Sequence, residues 1–401
     1  MATPLFDAVK ASAAKRILYV EGNVDATVGG SYYSLLFLVS GLDRTRYEPI
    51  VVFSAENDLL PQFHARGVRT VVRPLLRPIV VHTPIGRHVS KLINFARGWA
   101  IEACRLAMFL RQERISLVHL NNSIIKNHAW MLASVVAGIP CVTHERGINR
   151  RFLTRAVVLA RSLKAIICIS SAVQDNFRSL GLGRLPLVTV HNGLDPDEMR
   201  VTRSRSEICA EFGVPDDHRL VGMVGNIKEW KGQEVVVRAM AKIRKVFPNV
   251  TCLLIGDTSA ADRNYRYRLD ALIEAQDLGE RVIVTGYRKD VPNCINALDI
   301  QIHASIEPEP FGRVLLEGMA LSKPLIASDG GAVREIVVDG QTGLIFERGN
   351  ADGLAACLTR FLADPSAAAV MGQAGHSRLL TDFSIEQHVS KVQAIYDRAF
   401  G

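Results

Sequence analysis

The sequence predicts an α/β protein of two doubly wound parallel-sheet domains facing each other across a cleft. Two observations carry this. Short β-branched runs alternate with longer helical stretches along nearly the whole chain, and the alternation restarts near residue 195. Strands that are apolar along their length belong to parallel sheets covered by helices on both faces. The division that follows is 1–194 and 195–384, with a last helix at about 385–401 placed to pack back on the first domain.

In the first domain "RILYVEG" (16–22) reads as a buried strand and "NVDATVGG" as a loop. "SYYSLLFLVSGL" then reads as a helix capped by Ser31. "YEPIVVFS", "VRTVVRP", "SLVHLNN", "IPCVTHE", "AIICISS" and "PLVTVHNG" continue the strands. Residues 85–114 have helical spacing with many basic residues between the apolar ones, as one long helix or two. In the second domain "RLVGMVGN" is a strand and loop, "KGQEVVVRAMAKIRKVF" a helix, and "VTCLLIGD" and "RVIVTGY" are strands. "DVPNCINA" is a short helix and "LDIQIHAS" a strand; "EPEPFG" is a tight loop opening the helix "RVLLEGMA". "KPLIASDGG" and "TGLIFERG" close the sheet, each with a helical segment after it. Ligands of such sheets bind beyond the carboxyl ends of the strands. Both glycine-marked loops, "VGG" and "EPFG", fall there.

Composition excludes several classes. Of 401 residues, 48% are hydrophobic and 22% charged, as in an ordinary globular protein. The most apolar stretch, "AVVLARSLKAIICISSAV", is broken by Arg161 and Lys164, which argues against a spanning helix. The first twenty residues lack the apolar core and cleavage site of a secretory signal. Seven scattered cysteines without a CxxC pair argue for reduced thiols, hence a cytoplasmic protein without structural zinc. Charge is uneven: residues 1–190 hold 24 Lys/Arg against 11 Asp/Glu, and residues 191–401 hold 24 against 29. The segment Arg66–Arg114 has ten Lys/Arg opposed only by Glu102 and Glu113. A basic first domain suits an anionic acceptor or an anionic membrane surface, with the protein peripheral at the inner face of the plasma membrane. No nucleic-acid recognition motif accompanies it.

The chemistry concentrates in "EPEPFGRVLLEGMA" (307–320), where Glu309 and Glu317 stand eight positions apart across a loop and helix start. A helix N-terminus seats anions, and flanking carboxylates accept sugar hydroxyls, so the pattern suits a phosphorylated sugar. Together with "VGNIKEWKGQ", "VIVTGYRKDV", "PLIASDGG", "TGLIF", "VDATVGGSYYSLLFLV" and "VHNGLDP", it resembles the retaining family 4 glycosyltransferases. Those enzymes have the GT-B fold of two Rossmann-like domains and use nucleotide-diphosphate sugars. The resemblance spans nearly the whole chain.

It implies that Glu309 meets the donor sugar and Glu317 the ribose. Backbone N–H groups around Phe311 and Gly312 would bind sugar hydroxyls, and those of Val314 and Leu315 the diphosphate. Lys231 in "KEWKG" would neutralise the leaving diphosphate. The family usually has Arg where this chain has Asn226, five positions before Lys231, and Arg313 is the candidate to compensate. Gly29 and Gly30 would admit diphosphate or acceptor on the other wall. The family's sugar-contacting histidine falls in "VTHERG", leaving His144 and Arg146 both as candidates, His144 as a catalytic one. Asp195 in "DPD" reads as a turn residue and His119 as a core or cleft-lining one. No carboxylate or histidine cluster has ligand spacing, so neither metal nor another cofactor is expected. A UDP- or GDP-sugar is the favoured donor, and a glycan or lipid-linked acceptor of bacterial polysaccharide synthesis the favoured acceptor. A GT-B sugar-nucleotide epimerase and an inactive nucleotide-sugar-binding protein are the alternatives.

Overall fold

The computed structural model describes residues 14–22, 29–74 and 101–401. The loop at 23–28 and most of the basic segment between Arg66 and Arg114, where one helix or two were open, lie outside the described residues. The first sheet has strands β1 (Lys15–Glu21), β2 (Tyr47–Phe53), β3 (Arg69–Val72), β4 (Leu117–Leu120), β5 (Cys141–Glu145), β6 (Ala165–Cys168) and β7 (Leu187–Thr189), in the spatial order 3-2-1-4-5-6-7. The second has β8 (Arg219–Val224), β9 (Val250–Ile255), β10 (Val282–Gly286), β11 (Ile300–His303), β12 (Leu325–Ser328) and β13 (Leu344–Phe346), ordered 10-9-8-11-12-13. Every ladder between these strands is parallel. The order reverses between β1 and β4 in one sheet and between β8 and β11 in the other, which marks where ligands bind.

Helices α1 (Gly30–Ser40), α2 (Leu60–Ala65), α3 (Glu102–Gln112), α4 (His128–Ala137), α5 (Thr154–Ala160) and α6 (Ser171–Ser179) cover the first sheet. Helices α7 (Arg205–Glu211), α8 (Gln233–Ile243), α9 (Arg263–Ala275), α10 (Val291–Ala297), α11 (Arg313–Ala320), α12 (Val333–Ile336), α13 (Ala351–Ala363) and α14 (Pro365–Asp382) belong to the second. Burial on both faces explains the apolar strands: Ile17, Leu18 and Tyr19 are consecutive and all fully buried. None of the described helices is by itself long and apolar enough to cross a membrane.

Helix α1 departs from expectation at its start. Its N-cap is Gly29, not Ser31, and no side chain caps it. Asp195 does form a turn: its carboxylate accepts from Asp197 N at 2.9 Å.

The last helix, α15 (Ile385–Phe400), lies on the first domain. Tyr396 meets Tyr19 hydroxyl to hydroxyl at 2.9 Å, Asp397 accepts from Arg46 and Tyr47, and Lys15 sits 3.7 Å above the Phe400 ring. The chain thus crosses between domains twice, and the crossings touch: Leu194 N donates to Phe383 O at 3.0 Å. A Cβ on Gly193 would lie 2.5 Å from Ser384 O, so only glycine permits this approach.

Candidate active site

Glu309 follows β11, in a loop pinned by backbone. Ala332 N donates to Glu309 O at 2.9 Å, and Gly331, at φ +62°, comes so close that a Cβ there would lie 2.0 Å from that oxygen. The carboxylate is 8% exposed. Three donors converge on its Oε2: Lys231 Nζ at 2.9 Å, His303 Nε2 at 3.1 Å and Ser305 Oγ at 3.1 Å. Oε1 accepts from none of the described residues. Burial alone would raise the pKa of this group. The His303 hydrogen bond and the Lys231 charge outweigh burial and hold the carboxyl well below its usual range. Glu309 is therefore an anion at any physiological pH, with one oxygen fixed and the other open.

Lys231 comes from the loop after β8. Trp230 O accepts from Ile306 N at 2.8 Å, and Gly232, at φ +79°, would put a Cβ 2.1 Å from Ala304 O. These contacts dock the loop against the end of β11, which is why residues 78 positions apart in sequence meet. Lys231 Nζ also lies 4.0 Å over the Trp230 ring. In the same loop the side chain of Asn226 is exposed and makes no hydrogen bond among the described residues; its carbonyl accepts from Gln233.

Helix α11 begins at Gly312, an N-cap with φ +92° and no side-chain cap. The N–H groups of Phe311, Gly312, Arg313 and Val314 have no partner among the described residues, so this end can take an anion. Leu315 differs from expectation: its N–H already donates to Gly312 O at 2.9 Å, which tightens the first turn and leaves Arg313 and Val314 as the open donors. Phe311 turns its side chain, 3% exposed, into the domain junction, where its ring centroid lies 6.2 Å from His191 and 6.4 Å from Phe383. One turn along, Arg313 Nε pairs with Glu317 Oε1 at 3.0 Å, and the guanidinium lies over Tyr33 and Phe37 of α1. Arg313 thus faces the first domain.

The opposing wall is built from strand ends. Gly30 starts α1, and no described residue lies within 4 Å of where a Cβ on it would stand. Glu21, at the end of β1, accepts from Asn121 and Asn122, which follow β4. Arg146, one residue beyond β5, donates to Asn121 O at 2.8 Å, Asn121 Oδ1 at 2.7 Å and Asn192 Oδ1 at 3.0 Å. Its pKa is lowered to about 10, by burial first and with Arg313 among the repelling charges.

His144 is a correction. It is completely buried within the first domain, its Nδ1 2.6 Å from His119 Nε2 and its ring stacked on His119 at 4.7 Å. Burial holds both imidazoles neutral, with pKa values well below the usual one. Strand alternation sends the side chain under α15, so of the two candidates only Arg146 stands at the wall. His303, Ser305 and the Glu21–Asn121–Asn122 group were not singled out from sequence. "HAS" four to six positions before Glu309 was the available signal. No three or more His, Cys, Asp or Glu side chains come together as metal ligands among the described residues.

Comparison with known proteins identifies the family and the fold. Residues 204–378 match the family described as glycosyl transferases group 1, and residues 28–198 match glycosyltransferase family 4. The lipopolysaccharide core biosynthesis mannosyltransferase LpcC of Rhizobium leguminosarum bv. viciae is 27% identical over 253 residues, covering 63% of this chain and 70% of that protein. N-acetyl-alpha-D-glucosaminyl L-malate synthase of Bacillus anthracis is 24% identical over 303 residues, 73% of this chain and 77% of its own. The fold is shared with HepE of Anabaena, crystallised with UDP and glucose. Its TM-score is 0.80 at 22% identity over 96% of this chain and 99% of that one. With both halves matched in order and two parallel sheets facing across a cleft, the chain belongs to glycosyltransferase family 4 and has the GT-B fold.

Proposed function

We propose that this protein transfers a sugar from a nucleotide-diphosphate sugar, a UDP- or GDP-sugar, to an acceptor hydroxyl with retention of configuration and without a metal ion. The observation that carries the reading is Glu309: three donors hold Oε2, and Oε1 is open beside a helix end with free N–H groups. The open oxygen takes a sugar hydroxyl, Glu317 takes the ribose hydroxyls, and α11 with Lys231 takes the diphosphate.

A carboxylate held so far below its usual pKa is a poor base. That favours front-face substitution. The bond from the anomeric carbon to the diphosphate breaks, the acceptor oxygen bonds to that carbon on the same face, and the acceptor proton passes to the departing phosphate oxygen. Glu309 stabilises the positive charge developing on the sugar, and Lys231 the negative charge on the leaving group.

The acceptor is a lipid-linked or cell-surface glycan intermediate of bacterial polysaccharide synthesis, met at the cytoplasmic membrane face. Residues 101–164 hold ten Lys/Arg against three carboxylates. Of those three, Glu102 and Glu145 are buried and Glu113 is paired with Arg69 at 2.7 Å. Ile101, Met108, Val135, Val136, Leu153 and Val158 are exposed in the same stretch, a mixture suited to an anionic lipid surface. Sedimentation with phosphatidylglycerol vesicles at low salt tests this part, and a protein left in the supernatant rejects it.

The donor claim is tested by thermal shift with UDP-, GDP-, ADP- and TDP-sugars on wild type and Glu317→Ala. A ligand at 100 times its Kd stabilises by about 2.7 kcal/mol. One base class should shift wild type and not the variant. No shift from any of them would overturn the donor site, and a shift without turnover would favour the inactive nucleotide-sugar-binding alternative.

A further inference from the structure

We propose that Arg313 is a phosphate receptor assembled from both domains: the second domain supplies the guanidinium, and Tyr33 and Phe37 of the first hold it in plane. The inference rests on the donor reading above and assigns one of its contacts.

A guanidinium has two faces for stacking and an edge for hydrogen bonding. The centre of the Arg313 group lies 4.9 Å from the Tyr33 ring centroid and 5.3 Å from that of Phe37, so two rings of the opposite domain hold the cation by cation–π contact. Its Nε is taken by Glu317 at 3.0 Å. Neither terminal nitrogen has a partner among the described residues, and the side chain is 22% exposed. Two adjacent terminal nitrogens with free N–H groups match two oxygens of one phosphate, the bidentate geometry that a lysine cannot offer.

Position agrees with this use. Arg313 is the first residue of α11, and its own N–H and that of Val314 are open at the same helix end. Arg146, held by three neutral oxygens on the other wall, is near enough for the two charges to repel. An anion between them relieves that repulsion. In the loop after β8 Asn226 is neutral and exposed, and the positive charges at this site are those of Lys231 and Arg313, each paired with a glutamate. The ion pair with Glu317 acts as a placeholder: a nucleoside diphosphate offers hydroxyls to the carboxylate and phosphate oxygens to the guanidinium at one time.

The experiment is calorimetric binding of UDP and GDP, with uridine and guanosine measured by competition. It uses wild type, Arg313→Gln, Tyr33→Leu and the double variant Arg313→Gln/Asn226→Arg, each checked for an intact melting transition. Arg313→Gln should weaken the preferred diphosphate about 10- to 100-fold, the range for losing a bidentate charged contact, and leave the nucleoside within about twofold. Tyr33→Leu, with the charge intact but its platform gone, should weaken the diphosphate by a smaller factor. The double variant should recover at least half of the loss on a logarithmic scale. Equal weakening of diphosphate and nucleoside, or none of either, would overturn the phosphate role while leaving the donor site standing. Failure of wild type to bind either diphosphate would overturn both.

Discussion

Lys231 and Glu309 form the pair on which the proposed chemistry rests, and they attract each other directly. At 2.9 Å, with side-chain exposures of 16% and 10%, they make a well-shielded ion pair. In the proposed transfer its use would differ from its use at rest, because charge would build on the leaving phosphate only as the sugar departs. Lys231→Ala should therefore lower kcat by about 10²- to 10³-fold, the scale for removing a donor aimed at developing charge. Steady-state kinetics with the identified donor would show this; turnover within threefold of wild type would remove Lys231 from the mechanism. The two glutamates were legible in sequence because their spacing is fixed along one loop and helix. His303 and Ser305 were not: both lie on the strand side of the loop, and a histidine two residues before a serine carries no distinctive pattern. His144 was misplaced because sequence proximity to a glycine says nothing about which face of a strand a side chain takes.

At the level of elements, the site is positioned by backbone contacts that leave no side-chain signature. Gly331 sits under Glu309 at φ +62°, and the space a methyl would need is filled by the backbone of Glu309. Gly340 has a similar φ of +73° and open space around it. The two separate strain from steric displacement. Gly340→Ala should cost about 1 kcal/mol through its backbone conformation and leave kcat unchanged. Gly331→Ala should cost about 1–3 kcal/mol and depress kcat at least tenfold, because the loop bearing Glu309 must move. Melting temperatures and initial rates of both variants check this, and equal rates would mean that the loop position is not critical. Element identity was readable along the chain because apolar runs and helical spacing are local signals. Helix ends were less so: Ser31 looked like a cap, yet the helix starts at Gly30, with Gly29 in ordinary extended backbone as its N-cap.

Across the whole molecule, the closing helix ties the domains through buried imidazoles, and this makes stability depend on pH. Tyr19, Tyr396, His119 and His144 form one hydrogen-bonded chain under α15. His388, on the same helix, donates its Nδ1–H to His191 O at 2.7 Å in the segment joining the domains. That bond leaves Nε2 of the neutral ring as a buried acceptor without a hydrogen-bond partner among the described residues, and the ring lies 5.8 Å from that of His144. Burial, aided by the nearby charges of Arg146 and Lys391, lowers the pKa of His388 to about 4. An unfolded histidine titrates near 6.5. Between these values the unfolded chain binds the proton and the folded one does not, so stability is fully present above about pH 6.5 and is lost as pH falls toward 4. His388 alone accounts for about 3 kcal/mol of this, and His119 and His144 act in the same direction. The pairing could not be read from the sequence, because Tyr19 and Tyr396 are 377 residues apart and only the return of the last helix joins them. Melting temperature measured from pH 7.5 to 4.5 should fall, and hydrogen exchange at residues 385–400 should rise ahead of either sheet as the pH drops. His388→Gln keeps a donor for His191 O and cannot titrate in this range, so its curve should be flatter than wild type. If the two curves have the same slope, the acid sensitivity comes from elsewhere and the imidazoles under α15 are no more than packing.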